Sequence, residues 1–168
     1  RNCQEAIKWY KKADEGGYHD AQYNLGVMYY EGEGVPRNCQ EAIKWYKKAD
    51  EGGHHDAQYN LGVMYYNGEG VPRNCQEAIK WYKKAAEGGQ YDAQYSLGLM
   101  YYEGEGVPRN CQETIKWYKK AAEGEQHDAQ YNLGVMYDKG LGVPRNYQEA
   151  AKWYKKAAEG GQHDAQYN

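Results

Sequence analysis

RNCQEAIKWYKKADEGGHHDAQYNLGVMYYNGEGVP, residues 37–72, is a 36-residue unit that the rest of the chain repeats. Residues 1–36 differ from it at two positions, Tyr18 for His54 and Glu31 for Asn67. Further copies occupy 73–108 and 109–144, and a partial fifth runs over 145–168. A fixed period of this length marks a repeat architecture, in which units that cannot bury their own apolar faces stack on their neighbours. The spacing therefore predicts one array over residues 1–168 in place of independent domains.

Each unit reads as two helices. Asn38 is a preferred N-cap, and Glu41 three residues on suggests a capping box. Ala42, Trp45, Tyr46 and Ala49 then fall on one helical face, flanked by Ile43, with Lys44, Lys47 and Lys48 opposite. Gly52 and Gly53 end this first helix. Asp56 is expected to cap the second, where its charge suits the helix dipole. Ala57, Leu61, Met64 and Tyr65 form the apolar face of that helix. Gly62 in mid-helix costs ~1 kcal/mol relative to Ala, unless the absent side chain admits a neighbouring helix. Gly68 to Pro72 turn the chain into the next Asn cap. The expected fold class is all-α, an α-solenoid of 36-residue antiparallel helix pairs.

Composition narrows the function. Apolar residues make up 40% of the 168, with 20 Tyr, 5 Trp and no Phe, so buried tyrosine hydroxyls need partners. A net charge of −3 argues against a dedicated nucleic-acid binder. No apolar run approaches the ~18 residues of a membrane span. Cys3, Cys39, Cys75 and Cys111 recur once per copy, with Tyr147 in the fifth. Stacked repeats would hold them ~10 Å apart, beyond the ~7 Å that a disulfide tolerates. Unpaired thiols favour a reducing compartment.

Ala57, Leu61, Gly62, Tyr65, Gly68, Gly70 and Val71, followed by Ala78, Trp81, Tyr82, Lys84, Ala85, Ala86 and Gly89, carry a pattern that resembles the Sel-one-like repeat family. That family is a relative of the tetratricopeptide repeats. The resemblance covers the whole chain. It implies a right-handed superhelix serving as a protein-interaction scaffold, without catalysis. The usual repeat of that family begins with the LG helix. This chain begins with the WY helix and ends five residues into an LG helix, which leads us to expect a fragment of a longer array. Solenoid ends that lack capping helices would also favour end-to-end self-assembly into filaments, the alternative function.

Residues able to do chemistry are scarce. Ser96 is the only Ser and Thr114 the only Thr, and neither lies in a catalytic motif. A cysteine-rich branch of the same family is associated with penicillin binding. That branch has two Cys per repeat where this chain has one. Each Cys here begins a helix, where the dipole favours a thiolate, but no His or second Cys is spaced to assist. His54-His55-Asp56 suggests ligands, yet stacked repeats are too far apart to share one ion, and a variable exposed loop explains them more simply. No metal, cofactor or catalytic residue is expected. The Lys ridge, three per copy, reads as a solvated face.

The candidate binding feature lies on the second helices. A stripe opposite the core face comprises Tyr23, Val27 and Tyr30; Tyr59, Val63 and Tyr66; Tyr95, Leu99 and Tyr102; and Tyr131 and Val135. In a solenoid these helices line the concave surface. Two readings are open: the stripe packs against neighbouring repeats, or it is an aromatic patch that anchors a partner. The functional expectation is a non-enzymatic scaffold that binds protein or peptide segments there. Near-identical copies suit a periodic or multivalent partner.

Overall fold

The computed structural model describes residues 2–166, with side chains through residue 161. Regular structure among them is entirely helical. In chain order it comprises α1 (Cys3–Glu15), α2 (His19–Glu31), α3 (Cys39–Asp50), α4 (His55–Asn67), α5 (Cys75–Glu87), α6 (Tyr91–Glu103), α7 (Cys111–Glu123), α8 (His127–Lys139) and α9 (Tyr147–Gln166). The fold is an α-solenoid of antiparallel helix pairs. It divides into two compact units, Arg1–Gly88 with α1 to α5 and Gly89–Asn168 with α6 to α9. None of these helices is long and apolar enough to cross a membrane.

In the first unit, α2 packs more extensively on α3 than on its own partner α1, and α4 more on α5 than on α3. Glycine explains the preference. A Cβ on Gly62 would lie 2.5 Å from Cδ1 of Tyr82, and one on Gly26 equally close to Tyr46. The missing side chain admits a tyrosine ring from the next copy, as the mid-helix glycine suggested. Ala42, Ile43, Tyr46, Ala49, Ala57, Leu61 and Met64 form one continuous core. Two expected core residues stand differently. Trp45 is half-buried and packs on the preceding cluster of Ile7, Leu25 and Met28, while Ile43 takes the central place. Tyr65 is also half-buried, its hydroxyl accepting from Lys47 Nζ at 3.3 Å.

Capping is correct for the first helices and displaced for the second. Asn38 Oδ1 accepts from the Glu41 N–H at 3.1 Å. The reciprocal half of the capping box is absent, because the Asn38 N–H donates to the Tyr29 carbonyl at 2.7 Å and Glu41 pairs with Lys44. The second helix is capped two residues before Asp56: His54 is extended, and its Nδ1 accepts from the Ala57 N–H at 3.3 Å. Asp56 lies inside the first turn, where it serves the dipole but not the cap.

The second unit follows the same rules. Gly98 receives the ring of Tyr118, and Gly134 that of Tyr154. Its core holds Ile115, Tyr118, Ala121, Ala122, Ala129, Leu133, Met136 and Trp153. Gln90 and Gln126 cap α6 and α8 through their side-chain oxygens, at 2.7 and 2.8 Å. One expectation is not met here. The glycine pair that ends the first helix in the first three copies does not end α9, which continues through Gly160 and Gly161 to Gln166. Tyr167 and Asn168 lie outside the described residues.

Candidate functional site

The open sides of the second helices form a cleft in each unit. The first holds about 210 Å³ and is lined by Tyr23, Val27, Tyr30, Glu31, Tyr46, Asn60, Val63 and Met64. The second holds about 150 Å³ and is lined by Leu99, Tyr102, Glu103, Tyr118, Asn132, Val135, Met136 and Leu141. The two share a plan. A buried tyrosine from a first helix, Tyr46 or Tyr118, contributes to the lining beside a mid-helix asparagine and a core methionine.

The asparagines organise the tyrosines. Asn60 hydrogen-bonds both Tyr23 and Tyr46. Asn132 Nδ2 donates to the Tyr95 hydroxyl at 3.3 Å and also reaches Tyr118. Burial pushes the Tyr23, Tyr46, Tyr95 and Tyr118 phenols above their ordinary range. The nearby Asp56 charge raises Tyr23 further, and Asp128 does the same to Tyr95. These hydroxyls are therefore neutral groups across the physiological range. Tyr30 is raised by burial and then by its hydrogen bond to Glu69. The Glu69 carboxyl is held below its usual value by the Asn67 amide first, then by Tyr30 and Arg37, against a smaller opposing effect of burial.

The aromatic stripe divides between the two readings that the sequence left open. Tyr23, Val27, Tyr30 and Val63 line the first cleft, and Leu99, Tyr102 and Val135 the second. The first tyrosine of each stripe also packs on the next copy. Ring centroids lie 5.9 Å apart for Tyr23 and Tyr46, 5.8 Å for Tyr59 and Tyr82, and 5.6 Å for Tyr95 and Tyr118. Tyr131 packs on Tyr154 at 5.6 Å yet remains 56% exposed. Tyr66 carries the Arg73 guanidinium 5.2 Å from its ring centroid. Sequence reasoning missed Tyr46, Tyr118, Asn60, Asn132, Glu31 and Glu103. An asparagine inside an apolar helical stretch was the available signal, since such a residue competes with the helix backbone unless its side chain is used.

Charge is segregated between the helices. In the first unit, α2 and α4 carry Asp20, Glu31 and Asp56 and no Lys or Arg. In the second, α6 and α8 carry Asp92, Glu103, Asp128 and Asp138 against one cation, Lys139. The lysines of the first helices are occupied locally. Lys48 pairs with Asp14 of the preceding copy at 2.6 Å and lies 5.0 Å over the Trp45 ring. Lys84 does the same with Asp50 and Trp81. These pairs continue inward, because the buried Gln22 and Gln58 donate to Asp14 and Asp50 at 2.8 Å.

The remaining chemistry-bearing residues have structural surroundings. Thr114 is fully buried and donates to the Asn110 carbonyl at 3.0 Å. The four cysteines are half-buried and none is in a disulfide, and a Cβ on Gly70 would come within 2.7 Å of the Cys39 Cβ. The histidines are more engaged than an exposed loop would be. His54 stacks on Tyr23 with centroids 4.4 Å apart, and His55 Nδ1 lies 3.2 Å from Gln58 Oε1 while its ring covers Gly88. His163 lies outside the residues whose side chains are described. Among the described residues, no three His, Cys, Asp or Glu side chains gather as a metal site would require.

Comparisons agree with this architecture. A protective antigen of uropathogenic Escherichia coli displaying an SLR fold is 42% identical, with a TM-score of 0.89 over 92% of this chain and 33% of that one. A Sel1 repeat protein from Oxalobacter formigenes is 38% identical, with a TM-score of 0.89 over 95% of this chain and 65% of its own. The cysteine-rich protein B of Helicobacter pylori is 27% identical, with a TM-score of 0.61 over 76% and 91%. The chain thus spans a third of the first of these proteins and just under two-thirds of the second. Among curated proteins no relative matches. The Sel1 repeat model matches residues 1–18, 19–54, 55–90, 92–125 and 127–162, a register that starts at the second helix and so follows the tighter packing of α2 on α3 and α4 on α5. On these grounds the chain belongs to the Sel1 repeat family, a family of protein-interaction scaffolds.

Proposed function

We propose that the clefts along the second helices hold a segment of a partner protein, and that the chain is a scaffold without catalysis. The observation that supports this most directly is the recurrence of one plan in both units: a tyrosine and an aliphatic side chain on the walls, and an asparagine amide beside neutral phenols. Tyrosine suits interfaces because its ring is large and its hydroxyl still bonds. Both clefts fall below the ~300–1,000 Å³ of ordinary small-molecule sites. They suit single side chains projecting from a longer ligand. Near-identical copies favour a partner that repeats as well.

The reading is tested with Val63→Lys and Val135→Lys, which fill the cleft walls without touching Leu61 or Leu133 in the core. Crosslinking of an identified partner should be lost from these variants while helicity is kept. Lys44→Glu on the first helices should leave it unchanged. Loss of crosslinking with the Lys44 variant alone overturns the assignment of the face.

A further inference from the structure

The first two copies differ at only two positions, and one of them, Glu31 against Asn67, stands in the lining of the first cleft. We propose that this cleft seats a basic side chain, arginine or lysine, of the bound partner segment. The inference rests on the partner-binding reading above and adds the chemistry of the ligand.

Size sets the first limit. At about 210 Å³ the cleft has room for roughly seven waters at ~30 Å³ each, or one long side chain. The walls set the second. Tyr23, Tyr30 and Tyr46 surround it, and a cation within ~6 Å of a ring face is attracted by the ring quadrupole, more strongly as it is desolvated. The molecule already uses one of these rings in that way, with the Arg37 guanidinium 5.2 Å from the Tyr30 centroid.

Charge sets the third. The Arg37 guanidinium beside Tyr30 is already engaged by Glu69 at 3.0 Å. Glu31 is then left exposed in the lining, and the charge of Asp56 is felt at Tyr23. With no Lys or Arg on α2 or α4, an incoming cation meets attraction from both helices. An acidic ligand would meet repulsion, and a neutral one would leave Glu31 unanswered.

The second cleft differs where the argument needs it to. It keeps Glu103, Tyr102 and an arginine over that ring, Arg109 at 5.1 Å, but Leu141 occupies the position that Glu69 holds in the first, where Glu69 engages Arg37. Leu99 and Leu141 on its walls favour an apolar side chain. The chain therefore contains its own control.

The test uses the full chain, isotopically labelled, with the side-chain amides of Asn60 and Asn132 as reporters of the two clefts. The probes are N-acetyl-arginine methylamide, its lysine counterpart, the neutral isostere N-acetyl-citrulline methylamide, and N-acetyl-leucine methylamide. Arginine or lysine should move the Asn60 signal with an affinity about tenfold above citrulline. Leucine should move Asn132 in preference. Glu31→Gln, an exposed change, should weaken the cationic probes several-fold and leave citrulline unaltered. Equal binding of citrulline and arginine, or no effect of Glu31→Gln, overturns the proposal. If citrulline or leucine fills the Asn60 cleft as well as arginine does, partner binding stands and the basic ligand does not. If no probe moves either amide, both readings are wrong.

Discussion

Glu125 has a left-handed backbone, with φ of 63°, where the first three copies place Gly17, Gly53 and Gly89 at φ of 75°, 75° and 92°. An L-residue there bears ~1–2 kcal/mol of steric cost. Glycine removes it but loses ~0.5–1 kcal/mol in chain entropy on folding. Glu125→Gly should therefore stabilise the protein by about 1 kcal/mol, read as a higher urea midpoint at unchanged slope. The glycines of the second helices behave in the opposite sense. Gly62→Ala gains ~1 kcal/mol of helix propensity. The added carbon meets the buried Tyr82 ring at 2.5 Å, and a ring wedged between helices has nowhere to go. Overpacking of ~1–3 kcal/mol outweighs the gain, so thermal unfolding of Gly62→Ala should fall below wild type. A rise would mean that the ring slides freely.

At the level of the helix pair, the chain of contacts from Gln22 through Asp14 to Lys48 ties one copy to the next. Burial raises the Asp14 carboxyl, but the hydrogen bonds from Lys48 and Gln22 and the lysine charge together outweigh it, and its pKa lies below the ordinary value. A depressed folded pKa contributes stability that is complete above the unfolded value of about 4 and is lost as pH falls through the folded one. Asp14→Ala should cost roughly 1 kcal/mol or less at neutral pH and should flatten the acid limb of stability below about pH 4. The cost is limited because another copy shows the alternative: with Ala122 in place of the aspartate, Gln130 donates to the Ala122 carbonyl at 3.0 Å. None of this inter-copy bonding was legible in the sequence, although the helices themselves were. Asn38, the apolar spacing and the paired glycines act within one turn, so a single copy suffices to read them. The cap of α4 was misplaced because Asp56 is the better capping residue in isolation, while the extended backbone at His54 puts that residue's nitrogen over the free N–H of Ala57. Periodicity places Trp45 on the apolar face of its helix but does not say which neighbour covers it, and here the preceding copy does. The cleft was half legible for the same reason. The Tyr and Val of the stripe share one helix, but Tyr46 arrives from the next copy, and only packing brings it beside Asn60.

For the molecule as a whole, near-identity of the copies means that stability is set by nearest-neighbour terms more than by any single core. Within each unit the extensive contacts join consecutive helices, α2 to α3, α4 to α5, α6 to α7 and α8 to α9. Stability in such an array is approximately a sum of unit and interface terms, so damage is local. Tyr118 is 2% exposed and joins the core of the second unit to its cleft. Removing a buried aromatic side chain costs ~3–5 kcal/mol, a large part of the ~5–15 kcal/mol that a folded domain holds in total. Tyr118→Ala should accordingly strip amide hydrogen-exchange protection from α6 to α8 while α2 to α4 retain theirs. The arginine probe should still move the Asn60 signal in that variant, since Tyr23, Tyr30, Tyr46 and Glu31 all lie in the first unit. Equal loss of protection in both units would show instead that the chain opens as one cooperative body. A partner would then bind all of the array or none of it.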